Sequence, residues 1–203
     1  MAESIVNVTE GSGKKLHTFN RTIGANSVED EVVLLGEPYL ATYSVIASGV
    51  VFSTAGSHCL QIMAGGSLKV RVRRISVSQR VAATTAAFAL FQVTRLTTAG
   101  TGGGVVTPRP FDSSAAAAGA TAMTAPTVKG TEGVILLQRT MSLTQTVPVG
   151  GAPFPPHWEW TQLPNETPII IPAGAANGLT ISTVAGYPAA SGDIVVELDE
   201  SNF

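Results

Sequence analysis

The sequence is short of charge. Only 13% of its 203 residues are Asp, Glu, Lys or Arg, about half the usual share of roughly 25%. The formal net charge is −2 and the pI is near 5.9. Neither sign dominates, so no overall field draws the chain to nucleic acid or to an anionic membrane. A surface so poor in ionised groups is expected to turn part of itself towards other protein, unless Ser, Thr and Gly keep it wet.

Cysteine is almost absent. Cys59 is the only one, which excludes an intrachain disulfide. It sits in an apolar run with Leu60, and reads as a buried, inert thiol rather than a reactive or metal-binding one. Long hydrophobic runs are missing too: none approaches the ~18 residues of a membrane-spanning helix. The opening, MAESIVNVTEGSGKK, has no apolar core of the kind a signal peptide needs. The expectation is a chain made in a cytoplasm without an export address.

Catalytic signatures are equally scarce. His17, His58 and His157 are scattered, and none has a second ligand at metal-binding spacing. No cofactor is implied. No nucleophile elbow of the G-x-S-x-G type occurs. The run Gly102–Gly104 lacks the lysine of a phosphate loop and reads as a flexible turn. Carboxylates thin out after residue 37. Glu159 and Glu166, near Trp158 and Trp160, are the best pair for a glycosidase, which needs two carboxyl groups facing across a cleft. The plainer reading of both is solvated loop carboxylates.

What the sequence does hold is strand after strand. Residues 1–37 are the most polar, with Glu29, Asp30 and Glu31 together, and read as an N-terminal arm or edge hairpin with a strand at Val32–Leu35. From Pro38 onward, short apolar runs are cut by Gly, Pro and Ser. In Ser67–Ser78 (SLKVRVRRISVS) Leu68, Val70 and Val72 alternate with Lys69, Arg71 and Arg73. Period two marks a strand with one buried face. The phase slips at Arg73-Arg74, which predicts a β-bulge there.

Ala86–Leu96 reads as a central strand covered on both sides. Residues 99–131, rich in Gly and Ala, read as a long loop or surface flap. Within them the run Ser113–Ala122 is the one place where alanine lets a short helix compete. Glu132–Thr146, Ile169–Ile171, Leu179–Val184 and Asp193–Leu198 read as further strands. No amphipathic helical stripe and no fixed-period repeat is present. About eight short strands at a spacing of roughly ten residues predict an all-β fold: one β-sandwich, jelly-roll-like, with an extended N-terminal arm.

Two clusters stand out. Lys69, Arg71, Arg73 and Arg74, with Arg80 nearby, form the basic one. Lys69, Arg71 and Arg73 share a strand face, either solvated or set against an acidic protein neighbour, for which Glu29–Glu31 of an adjacent copy is a natural match. No aromatic residues interleave with it, so single-strand nucleic acid has nothing to stack on. The other is PFPPHWEWTQLP, where Trp158 and Trp160 share one face of an extended segment stiffened by proline. Such a pair caps a sandwich core, anchors an interface or forms a sugar platform.

Several passages resemble phage virion proteins of the capsid-decoration and head-fibre kind. They are IVNVTEGSGKKLHTFNRTIGANSVEDEVVLLGE, then SLKVRVRRISVSQRVAATTAAFALFQVTRLTTAGTGGGVVTPRPFD, and the closing TPIIIPAGAANGLTISTVAGYPAASGDIVVELDE. The resemblance implies a jelly-roll-like sandwich repeated on a particle as a symmetric oligomer, a trimer being favoured. Its partners would be its own copies and the major capsid protein or another virion protein, with no nucleic acid, membrane or catalysis involved. The Trp-rich segment is not part of the shared phrasing; read from the residues themselves, the candidate interface is Trp158, Trp160, Lys69, Arg71, Arg73, Arg74, Glu29, Asp30 and Glu31. An alternative is a tail- or fibre-associated protein that recognises a host glycan through Trp158, Trp160 and Tyr187. A carbohydrate-active enzyme built on Glu159 or Glu166 is a third expectation.

Overall fold

The computed structural model describes residues 18–23, 26–31, 41–144, 157–187 and 189–201. The chain divides into two compact units, Met1–Tyr39 and Leu40–Phe203. In the first, β1 (Thr18–Ile23) and β2 (Asn26–Glu31) pair antiparallel from Ile23↔Asn26 to Thr18↔Glu31. The arm thus contains a hairpin, and Glu29, Asp30 and Glu31 lie on its second strand. The strand expected at Val32–Leu35 falls outside the described residues.

The second unit is all β among the described residues. Its elements are β3 (Thr42–Val51), β4 (His58–Met63), β5 (Lys69–Val81), β6 (Ala87–Leu96), β7 (Gly104–Val106), β8 (Arg109–Pro110) and β9 (Thr121–Thr124). Then come β10 (Glu132–Leu143), β11 (His157–Thr161), β12 (Ile169–Ile171), β13 (Gly178–Thr183) and β14 (Ser191–Ser201). One sheet has the order β11-β5-β14-β3-β8, with β12 also on β5; the other runs β10-β6-β13-β4-β9-β7.

The pairing has a simple logic. β3 pairs β14, β4 pairs β13, β5 pairs β11 and β6 pairs β10, all antiparallel. The chain is thus one long hairpin, folded back on itself at the β6–β10 connection and rolled so that successive pairs alternate between the sheets. That is the jelly-roll order. It places the chemistry-bearing middle of each strand on one of two outward faces, since alternate residues fill the space between the sheets.

The inward set is apolar throughout. Val70, Val72, Ile75 and Val77 of β5 meet Ile194, Val196 and Leu198 of β14 from one side. Leu60, Ile62, Phe91, Val93, Leu179 and Ile181 meet them from the other. Phe91 lies edge-on to Phe52, with ring centroids 5.0 Å apart, and 6.3 Å from Trp158. The phase slip in β5 is a bulge: Glu197 faces Arg74 and the next residue, Leu198, faces Val72, leaving Arg73 as the extra residue. It returns Ile75 and Val77 to the core, as the sequence requires.

A second bulge lies in β3, where Val50 pairs Gly192 and Ala47 pairs Ile194. Gly49 sits there at φ +67, a left-handed backbone that a Cβ disfavours. The Asp193 carboxylate closes this bulge, accepting from Ser48 Oγ (2.7 Å) and the Gly49 N–H (2.9 Å). Partial burial would raise the Asp193 pKa, but these two bonds and Arg80 outweigh it and hold the carboxyl below its ordinary value. A lowered folded value means that its contribution to stability is complete above the ordinary carboxylate range. That contribution fades as pH falls through the folded value. Replacing Asp193 by Asn is therefore expected to lower the urea midpoint at neutral pH. It is also expected to flatten the fall in stability between neutral and acid pH, measured by urea unfolding across that range.

Two expectations are corrected by the strand order. Residues 99–131 are not merely loop. They contribute β7 and β9 to one sheet and β8 to the other. No helix forms in Ser113–Ala122. The stretch is tied down instead by Tyr43 Oη, which donates to Ala116 O (3.0 Å), and by the Gly119 N–H, which donates to Glu200 (2.8 Å).

The second correction concerns cover. β6 is not enclosed on both sides, because Phe88 on its outward face is 75% exposed. The strands enclosed on both sides are β4 and β13, every residue of which is buried. The segments 97–103 and 125–131 form a ribbon, bonded by Thr97 N–H to Thr131 O and by a two-way Thr101–Val128 bridge. Gly100 of this ribbon donates its N–H to Gln61 of β4 (2.9 Å). The approach is so close that a Cβ at Gly100 would lie 2.6 Å from both the Gln61 amide and Val128 O. The ribbon thus covers the outward side of β4.

Candidate functional site

The basic stripe meets acid from its own chain. Arg71 and Asp199 are cross-strand partners on β5 and β14. The Arg71 guanidinium donates to both Asp199 oxygens, from Nε at 3.0 and 3.2 Å and from Nη2 at 3.0 Å. Arg73, brought alongside by the bulge, donates to the same carboxylate. Arg74 donates to Glu197 (2.5 Å) and stands 3.9 Å from Glu159, and Arg80 lies 3.6 Å from Asp193. Period two correctly places Asp199 on the outward side of β14, yet it is wholly buried there, as is nearly all of Arg71. An acidic neighbour such as Glu29–Glu31 of another copy is not required to neutralise these arginines.

The tryptophans divide. The β11 register places Trp158 against Val77 and Trp160 against Ile75. Trp158 is buried in the core beside Phe91, and Trp160 packs against that core from its margin. Trp158 therefore caps the core and presents no platform for a sugar ring. Tyr187 is likewise engaged: its hydroxyl accepts the Leu90 N–H (2.7 Å). Glu159 accepts from Thr161 (2.9 Å), while Glu166 closes its own turn by accepting the Leu163 N–H (3.4 Å).

Cys59 is buried and its thiol pKa is pushed up to about 11, burial outweighing hydrogen bonds from Ser57 and Thr183. Native protein at pH 8 is expected to give no reaction with a disulfide reagent such as DTNB, and one thiol per chain once urea unfolds it. Fast labelling of folded protein would contradict this placement.

The residues that sequence reasoning missed lie under the ribbon. The Gly100 N–H fixes the orientation of Gln61, whose Oε1 accepts it. The Gln61 amide nitrogen therefore donates to His58 Nδ1 (2.6 Å), and His58 Nε2–H donates to Glu132 (2.7 Å). His58 and Gln61 are almost fully buried, whereas the Glu132 side chain is 46% exposed. The relay runs from a buried amide to a carboxylate at the surface. Both ring nitrogens of His58 are engaged. Its one lone pair, on Nδ1, accepts from Gln61 rather than from Ser182, its cross-strand neighbour, so Ser182, His58 and Glu132 are not arranged as a hydrolase triad.

Glu132 opens onto a cleft of about 400 Å³ between the ribbon and the outward face of the sheet. Gln92, Ser182, Thr183 and Val184 line it from the sheet, and Lys129, Gly130 and Gly56 from the loops. Gln92 and Ser182 are register partners on β6 and β13. A signal for part of the site is present in the sequence: polar side chains recur at every second position of β13 and β6, as in Thr180 and Ser182 and in Gln92 and Thr94. Among the described residues, no three His, Cys, Asp or Glu side chains come close enough to hold a metal ion. No helix among them is long and apolar enough to cross a membrane.

No family model, curated protein or solved structure matches this chain. Its residues and their geometry carry the functional reading.

Proposed function

We propose that the chain is a structural component of a phage virion, a decoration protein that binds the outer surface of the capsid as a symmetric oligomer, a trimer being favoured. The carrying observation is the contrast between its charged and apolar surfaces. The four arginines of β5 pair with carboxylates of the same chain, in a chain that has few ionised groups to solvate its exterior. Apolar side chains stand outward instead. Phe88 (75% exposed), Leu90 and Val184 adjoin on one sheet, since Val184 N–H donates to Leu90 O (3.1 Å). Val51 and Val81 flank Ser191 on the other sheet.

Covering such side chains with a neighbouring protein stabilises both partners by roughly 25 cal/mol per Å² of apolar surface removed from water. In this reading the protein works by adhesion, with no chemical step. The jelly roll supplies a rigid body for it, and the long-hairpin topology presents outward faces on both sides.

Mass spectrometry of purified particles tests the reading directly. The chain is expected in stoichiometric amount, and purified protein is expected to co-sediment with undecorated shells. Replacing Phe88 by Asp is expected to weaken that binding while leaving the fold intact, because Phe88 contributes little to the core. Absence from particles, together with no co-sedimentation, would refute the proposal.

A further inference from the structure

We infer that the cleft beside Glu132 is a binding site for a neutral, hydroxyl-rich ligand, a sugar unit of a glycan or a free saccharide. Four polar side chains converge there with hydrogen-bonding capacity unused. Ser182 lines the cleft, and its hydroxyl makes no hydrogen bond among the described residues. Gln92 and Lys129 also line it, and their side chains also make none among those residues. Glu132 commits one oxygen to His58 and keeps the other open. Elsewhere the outward polar groups of β4 and β13 are satisfied: Gln61 by Gly100 and His58, and Thr180 by donating to Leu60 O (3.1 Å). Lys129 and Glu132 are exposed and Gln92 partly so, so these groups are hydrated in the free chain and can exchange that water for a ligand.

The chemistry of the lining selects the ligand. An ammonium donates, a carboxylate oxygen accepts, and an amide and a hydroxyl do both. Adjacent hydroxyl groups, each donor and acceptor, answer such a set. Lys129 and Glu132 cancel in charge, so the cleft has no preference for an anion or a cation as a whole. Val184, 42% exposed at the margin, offers an apolar surface for the C–H face of a ring. The volume falls within the range of small-molecule sites, about 300–1,000 Å³.

The relay Gly100–Gln61–His58 makes His58 a positioning residue. It holds the Glu132 carboxylate in one orientation before a ligand arrives, which removes part of the ordering cost of binding. This inference does not depend on the virion reading. A chain found on particles that binds no saccharide fails here alone, and one that binds saccharide but is absent from particles fails only there.

Saturation-transfer NMR on the full chain tests it. The probes are glucose, galactose, N-acetylglucosamine and rhamnose, with their neutral oligosaccharides to separate a free sugar from a glycan unit. N-acetylneuraminic acid and glycine serve as charged controls. At least one neutral saccharide is expected to bind, with an affinity about tenfold weaker in Gln92→Ala and in Lys129→Ala. Neither substitution touches the core, and circular dichroism confirms the fold of each. Arg109→Ala, on the other sheet, is expected to bind as the unsubstituted chain does. Absence of binding to every neutral probe, binding that persists in both cleft variants, or binding of the charged controls alone would overturn the inference.

Discussion

Replacing Asp199 by Ala is expected to destabilise the fold by about 3–5 kcal/mol, the usual cost of stranding a buried charge. The Asp199 carboxylate is fully buried and receives both Arg71 and Arg73. Without it the Arg71 guanidinium, itself only 5% exposed, keeps its charge and loses its acceptor. For a chain of this size the loss corresponds to a fall in Tm of roughly 6–20 °C. Thermal unfolding followed by circular dichroism measures it. Arg74→Ala is the internal comparison. Its partner Glu197 is also on β14, but the Arg74 side chain is 40% exposed, and solvent-exposed pairs contribute only about 0–1 kcal/mol. Replacing Arg71 and Asp199 together by Met and Leu is expected to recover most of the loss, since no buried charge is then stranded and Arg73, whose side chain is 40% exposed, can turn to solvent. Equal effects of Asp199→Ala and Arg74→Ala would show that burial does not govern this network.

The second large effect is expected from Phe91→Ala, at about 3–5 kcal/mol. Phe91 is completely buried and stands between Phe52 and Trp158. Truncation removes its own apolar area, its edge-on contact with Phe52 and the surface on which Trp158 rests. The cavity lies midway between two sheets whose strands are held by backbone hydrogen bonds, so neighbouring side chains collapse into it only in part. Urea unfolding followed by tryptophan fluorescence measures the loss, and repeating it in a Trp160→Phe background isolates the signal of Trp158. Trp158→Ala is expected to fall in the same range. A loss below about 1 kcal/mol for Trp158→Ala would return that ring to the surface and revive its reading as a contact residue.

Much of the fold was legible because strand patterning is local. The alternation in β5 and β14 named the inward residues, and the phase slip at Arg73-Arg74 located the bulge. Alternation was misleading where a third layer intervened. Phe88 and Leu90 in β6 look as apolar as a doubly covered strand, but the ribbon that covers outward faces reaches β4 and β13 instead. Its position depends on the close approach of Gly100 to Gln61, residues that are far apart in sequence.

The candidate site was less legible for the same reason. His58, Glu132, Gln92, Ser182 and Lys129 come from separate segments of the chain, and no spacing between them repeats a known motif. The tryptophan pair attracted attention as a platform because both rings share one side of an extended segment. Periodicity does establish that shared side. It cannot say whether the side faces solvent or core, and the pairing of β11 with β5 turned Trp158 inward.

The sequence alone therefore determined most of the long strands, many of the residues that fill the space between the sheets, the bulge in β5 and the exclusion of an intrachain disulfide. Each follows from local geometry: side chains alternate along a strand, and apolar ones must leave water together. Tertiary structure decided which strands lie side by side, that Asp199 is buried against Arg71, and that a ribbon closes over His58 to leave an open polar cleft. These depend on contacts between distant segments, where the free energy of burial is shared among residues that local pattern does not connect.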